Sequence, residues 1–205
     1  MTSQFDAGLY RWVVDLTHHT PQPVNDVIRG FSDYGLGIFA VLMLFAWWRA
    51  RPEDSARMAA ALSVPLVVVA AYLVNDAVKA VFDEQRPCRT LHTITVETCP
   101  AAGDWSFPSN HSAIAAAAAV ALLYAYRKAG LIALPLAVLM AVSRVWIGVH
   151  YPHDVVIGLA VGALTAWPLI AVSGRLAPAV DRLRATRLRP VLATLPSGAA
   201  SPGAA

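Results

Sequence analysis

Long apolar stretches fill most of this chain, and polar clusters or basic runs stand at their edges and leave their middles apolar. A hydrocarbon core about 30 Å thick calls for roughly 20 apolar residues per helical crossing. Five stretches approach that length: 34–48, 59–81, 112–126, 131–147 and 155–172, the first reaching it by extension through Phe31. Inside lipid every backbone N–H and C=O must be bonded within the segment, so stretches of this size are predicted to be helices. Only 14% of the 205 residues are charged, against about 25% in soluble domains. A mostly water-facing surface is thereby excluded. The expectation is an all-α polytopic membrane bundle of about five transmembrane helices, with no internal repeat.

The ends read differently. Phe5, Leu9, Trp12, Val13 and Leu16 recur at helical spacing, while Asp6, Arg11 and Asp15 lie elsewhere around the wheel. No run there is long enough to span, so residues 1–33 are predicted to hold an interfacial amphipathic helix; a helix packed on neighbouring spans is the alternative. The segment lacks a basic n-region and a small-residue cleavage site, so a cleaved signal peptide is not expected. Residues 34–174 would form the transmembrane domain and 175–205 a basic tail. The last stretch, 195–205, is rich in Pro, Ser, Gly and Ala and reads as disordered.

Three polar clusters interrupt the apolar pattern: Lys79 with Arg86-Pro87, then Pro108-Ser109-Asn110-His111, then Ser143-Arg144 with His150 and Asp154. Ionisable groups at membrane depth are costly and mark function by default. Five antiparallel spans place all three clusters at one end. The opposite end then receives Arg49, Arg51, Arg57, Arg127, Lys128, Arg175, Arg182, Arg184, Arg187 and Arg189, which is ten of the sixteen Lys and Arg residues. By the positive-inside rule the basic end is cytoplasmic, so the clusters are predicted to be extracytoplasmic in a multi-pass cell-membrane protein.

The inventory of the clusters suits a phosphate group. Arg86 offers a planar fork for phosphate oxygens and Lys79 a movable point charge. Pro108-Ser109-Asn110-His111 reads as a helix N-terminus with Ser109 or Asn110 as N-cap, where first-turn N–H groups favour an anion. Asp154 follows His150 by four residues and would accept a proton from one ring nitrogen, leaving the other nitrogen as a nucleophile. The residues alone do not choose between His150 and His111 as that nucleophile.

Lys79-x6-Arg86-Pro87, Pro108-Ser109-Asn110-His111 and Ser143-Arg144-x5-His150-x3-Asp154 together resemble the three-part signature of the type 2 phosphatidic acid phosphatase superfamily. The resemblance implies a metal-independent phosphatase, without cofactor, that works through a phosphohistidine. His150 would attack phosphorus, Asp154 would orient it, and His111 would protonate the leaving oxygen and then activate water. Lys79, Arg86, Ser109 and Arg144 would hold the phosphoryl oxygens, with the backbone amide of Asn110 assisting. The chain departs from the commonest pattern at Asn110, where the family usually has Gly. Small bacterial undecaprenyl-diphosphate phosphatases of the bacitracin-resistance type often carry Asp or Asn there, and the length and N-terminal segment are similar to theirs. The resemblance therefore implies a polyprenyl diphosphate substrate, with phosphatidic acid, phosphatidylglycerophosphate or another polyprenyl-linked monophosphate as alternatives. A phosphotransferase with an acceptor other than water, and a headgroup transporter, are the other readings. A transporter needs polar groups deep in several spans, and only Asn75, Asp76 and Lys79 approach that, near one end.

The remaining polar residues have blander readings. His18, His19 and His92 read as structural or interfacial, and His153 as either a headgroup contact or a helix cap. Asp76, three residues before Lys79, is expected to pair with it, with a proton relay as the sharper alternative. Cys88 and Cys99 flank a loop expected outside the cytoplasm, where a disulfide persists. Without nearby metal-spaced histidines they do not suggest zinc. Membrane lipids and a lipid phosphate are the expected partners. Arginines 182–189 could attract anionic lipid, but they follow topology, so nucleic acid is not expected.

Overall fold

The computed structural model describes residues 6–193, and its regular elements there are all helical. Phe5 and the 195–205 tail lie outside the described residues. In order the helices are α1 (Ala7–His19), α2 (Gln22–Tyr34), α3 (Leu36–Ala50), α4 (Ser55–Phe82), α5 (Pro87–Thr90), α6 (Asn110–Ala125), α7 (Arg127–Trp146), α8 (Pro152–Ala171), α9 (Ala177–Arg184) and α10 (Arg189–Leu192), with a 3₁₀ turn at Ser173–Leu176.

The alanine-rich α6 is the axis of the bundle, packed by α4, α7, α8 and α3. Small side chains let those neighbours approach its backbone closely. On α8, a Cβ at Gly162 would lie 2.1 Å from the Ala113 carbonyl oxygen, and one at Gly158 2.6 Å from that of Ser109. Only glycine permits this approach, which lays the start of α8 on the first turn of α6. The segment 55–90, the body of which is α4, and helices α7 and α8 are each long and apolar enough to cross a membrane. Helices α2 and α3 pass the same test together, bent by 50°, and α6 is a shorter apolar helix of 16 residues. Chain direction alternates through α4, α6, α7 and α8, so the three polar clusters meet at one end.

Both ends of the chain are more structured than the sequence pattern suggests. The N-terminal segment is two helices, broken at Thr20-Pro21. Helix α1 buries Ala7, Tyr10, Val14 and Thr17, and Tyr10 donates to the Gly148 carbonyl at 2.8 Å. The apolar stripe of Leu9, Trp12 and Leu16 faces away from the protein. Gly148 has φ +85°, and a Cβ there would strike Thr95 at 2.2 Å, so glycine is required where this loop turns beneath α1. At the other end the basic segment is folded through α10. Val180 and Leu192 pack on Met58 and Ala59, and Arg184 donates to Ser55 Oγ (3.1 Å) and the Glu53 carbonyl (3.0 Å). That arginine is spent on the start of α4, a contact that the reading of arginines 182–189 as topological charge able to attract anionic lipid does not contain.

Candidate active site

The last turn of α4, the 83–109 connection, the start of α6, the end of α7 and the 147–154 turn supply the site. Pro87 holds Arg86 extended (ψ 143°) just before α5. Arg86 is buried and nearly fully engaged: Nε donates to the Asp104 carbonyl at 2.9 Å, Nη2 to Asp104 Oδ1 at 2.9 Å, and Nη1 to the Val149 carbonyl at 2.9 Å. The other contact of Nη1 is His150 Nε2 at 3.3 Å.

That contact fixes the state of His150. A guanidinium can only donate, so Nε2 must accept and the ring proton resides on Nδ1. Nδ1 in turn lies 3.2 Å from Asp154 Oδ2. Asp154 is fully buried, and its Oδ2 also accepts from the Tyr151 backbone N–H at 2.8 Å and from Ser106 Oγ. Burial first, then the charges of Arg86, Arg144 and Lys79, holds the His150 ring well below the usual histidine range. A neutral imidazole with an unprotonated Nε2 beside a guanidinium is an arrangement that suits a nitrogen nucleophile once a phosphoryl group takes the place of the Arg86 contact. Burial pushes the Asp104 carboxyl up, but the Arg86 hydrogen bond and charge outweigh it and bring it below its ordinary value.

Across from this group, Ser109 caps α6: its Oγ accepts from the Ser112 N–H at 3.5 Å, and its own N–H is tied to the Asp154 carbonyl at 3.0 Å. That bond locks the α6 N-terminus to α8. His111, in the first turn, lies in the electrostatic field of Arg144, His150, Arg86 and Lys79. No hydrogen bond holds its ring among the described residues. Arg144 is buried, donates from Nη1 to Ser32 Oγ of α2 at 3.0 Å, and leaves its buried Nε without a partner. Lys79 donates to the Trp105 carbonyl at 2.9 Å. It makes no ion pair with Asp76 among the described residues; a carbonyl in the 83–109 connection accepts its hydrogen bond instead. Cys88 and Cys99 are bonded (Cα–Cα 5.9 Å), closing the loop that follows Arg86.

Asn110 is oriented by a residue the motifs do not include. Asn75, fully buried on α4, donates from Nδ2 to the Pro108 carbonyl at 3.2 Å and to Asn110 Oδ1 at 2.6 Å. Since the Pro108 carbonyl can only accept, Asn75 must present its nitrogen, and Asn110 must answer with its oxygen. The Asn110 amide nitrogen is thereby left for an open pocket of about 440 Å³ lined also by Lys79, Asp76, Asp104 and Trp105. Ser106, Asp104 and Ser32 are likewise absent from the motif-based reading. A lone serine or aspartate in a loop carries no periodic or spacing signal.

His153 does more than cap a helix: its ring meets three carboxylates. Its Nδ1 lies 3.1 Å from Asp6 Oδ1, and its Nε2 lies 3.3 Å from Glu84 Oε2 and 3.2 Å from Asp154 Oδ1. Glu84, His153 and Asp154 are also the one group among the described residues whose donor atoms sit close enough together to hold a metal ion.

Comparison with known proteins is consistent with this geometry. The model of the PAP2 superfamily matches residues 60–177. The chain is 28% identical over 175 residues to the undecaprenyl-diphosphatase BcrC of Bacillus subtilis, covering 84% of this chain and 86% of that protein. It is 33% identical over 153 residues to the decaprenylphosphoryl-5-phosphoribose phosphatase of Mycobacterium tuberculosis, covering 71% and 78%. Among solved structures, a PAP2-type phosphatidylglycerolphosphate phosphatase from Bacillus subtilis shares the fold, with a TM-score of 0.60 at 22% identity over 85% of this chain and 87% of that one.

Proposed function

This chain belongs to the PAP2 superfamily and is a membrane lipid phosphatase, and from that premise we propose that it cleaves undecaprenyl diphosphate to undecaprenyl phosphate on the extracytoplasmic face. The observation that carries the reading is the His150 tautomer: Nδ1–H on Asp154 and a lone pair on Nε2. His150 Nε2 attacks the terminal phosphorus, and the bond to the bridging oxygen breaks. The lipid phosphate departs with that electron pair and, where needed, a proton from His111. Water then attacks the phosphohistidine, His111 takes a proton from it, and inorganic phosphate leaves with the His150 ring restored. Arg86, Lys79, Arg144 and the first-turn amides of α6 surround the equatorial oxygens, where charge develops in such a transfer. Ser109 Oγ accepts from the Ser112 N–H as the N-cap and keeps its O–H to donate to a phosphoryl oxygen.

Three features support the location and the substrate. The ten basic residues sit at the end of the bundle opposite the site, and the disulfide sits at the site end, as an oxidising compartment favours. The outward apolar stripe of α1 suits a helix lying in the membrane surface beside the catalytic domain, while α2 continues through a 50° bend into the apolar α3. The free amide nitrogen of Asn110, beside Lys79, gives a second phosphate a donor that glycine would lack.

Purified protein assayed against undecaprenyl diphosphate, undecaprenyl phosphate and phosphatidic acid should show the highest kcat/KM for the diphosphate. A clear preference for phosphatidic acid or a polyprenyl monophosphate would overturn the substrate assignment. Turnover should persist in EDTA; inhibition reversed by a divalent cation would show that the cation clamp does not act alone.

A further inference from the structure

We propose that His153 is a positioning residue for this reaction: its imidazolium, held by Asp6 and Glu84, sits against the far oxygen of Asp154 and keeps that carboxylate ionised for His150. The inference rests on the assignment of His150 as nucleophile and concerns the layer behind it.

The protonation state follows from what surrounds the ring. Nδ1 faces the two oxygens of Asp6 at 3.1 and 3.2 Å, and Nε2 faces Glu84 Oε2 at 3.3 Å and Asp154 Oδ1 at 3.2 Å. A neutral imidazole would turn one lone pair on a carboxylate; only the doubly protonated ring donates on both sides. Among the described residues, the groups facing it include Asp6 from the cap of α1, Glu84 from the segment after α4, Asp154 from its own helix, and the rings of Tyr151 (5.3 Å, stacked) and Phe107 (5.7 Å). The Asp6 carboxylate also accepts the His153 backbone N–H at 2.7 Å, so α1 fixes the main chain as well as the ring.

Asp154 therefore lies between two imidazoles in different states. His150 is neutral and donates to Oδ2; His153 is cationic and faces Oδ1. A carboxylate with no solvent exposure is expensive to keep charged. The cation on its far side offsets that cost. It also disfavours a protonated Asp154, whose O–H would face Nδ1 and force the ring proton onto the other nitrogen, so His150 holds the tautomer with Nε2 unprotonated.

The test compares pH profiles of kcat/KM for the full-length wild type, His153→Gln and Glu84→Gln on one lipid phosphate, so that ionisation of the substrate is common to all three. Removing the imidazolium makes Asp154 easier to protonate, so the acid limb of His153→Gln should move up by about one pH unit. Its kcat should fall roughly tenfold with KM within about threefold, because the ring acts through Asp154 and does not touch substrate. Glu84→Gln removes a carboxylate that stabilises the cation, so its alkaline limb should move to lower pH while its acid limb does not rise. Should His153→Gln fail to fold, Glu84→Gln alone decides. Profiles that superimpose on wild type would overturn the inference, as would a wild-type activity that chelation abolishes and zinc restores, which would mean the cluster holds a metal ion where we place a proton. Turnover in His150→Ala would instead defeat the nucleophile assignment, so the two failures are distinguishable.

Discussion

Around His150 most polar atoms are hydrogen-bonded, with Asp154 Oδ1 meeting only the His153 ring at 3.2 Å, whereas the α7 side presents a buried Arg144 donor without a hydrogen-bond partner among the described residues. His150 is held at both nitrogens, by Arg86 and by Asp154, and Asp154 Oδ2 accepts three bonds. Across the site, Arg144 Nε is buried without a partner, and the His111 ring has no hydrogen bond among the described residues. Buried donors left unmet cost free energy, and proteins retain them where a ligand meets them. On the mechanism proposed above, the contrast separates orientation from reception: one side would prepare the nucleophile, the other would receive the anion and its departing oxygen.

The largest effect should come from the prepared side. His150→Ala should reduce kcat by about 10⁴-fold or more, with an unchanged helical circular-dichroism spectrum; turnover within tenfold of wild type would erase the distinction between the two sides. On the receiving side, His111→Ala should cost about 10²–10⁴-fold in kcat, as expected for a lost general acid–base. Arg144→Lys keeps the charge but loses the planar fork, and should lower kcat/KM by about 10²-fold. Ser32→Ala probes what holds that fork from α2 and should cost only a few-fold, mostly in KM. The smallest change on the prepared side is Ser106→Ala, which removes one of the bonds to Asp154 and should lower kcat about tenfold or less. If Ser106→Ala exceeded Arg144→Lys in its effect on kcat/KM, orientation would matter more than anion capture.

The bundle and the convergence of the candidate site residues were legible in the sequence because both rest on local rules. Apolar runs give the helices, and Pro87, the Ser109 cap and Pro152 place Arg86, His111 and His150 at helix ends, where a parity argument brings them together. What was not legible is what arrives from far along the chain. Asp6 reaches His153 across 147 residues, and Arg144 reaches Ser32 across 112. Neither spacing leaves a periodic trace. The expected Asp76–Lys79 pair shows the opposite error: a local rule was available, but tertiary packing offered the lysine the Trp105 carbonyl. Asn75 stood out as a polar residue in an apolar span, yet only the structure reveals that it sets which atom Asn110 presents. The tail shows the same limit, since composition alone did not reveal that Val180 and Leu192 would find Met58.

The central claim is that phosphorus is transferred to His150 Nε2. Rapid-quench labelling of the His111→Ala variant with terminally ³²P-labelled lipid diphosphate tests it most directly, because that variant keeps the nucleophile but lacks the base that activates water. Base-stable, acid-labile label should accumulate on the peptide carrying His150 and be absent from His150→Ala. Label found elsewhere, or inorganic phosphate released with no labelled enzyme at any time point, would contradict the account.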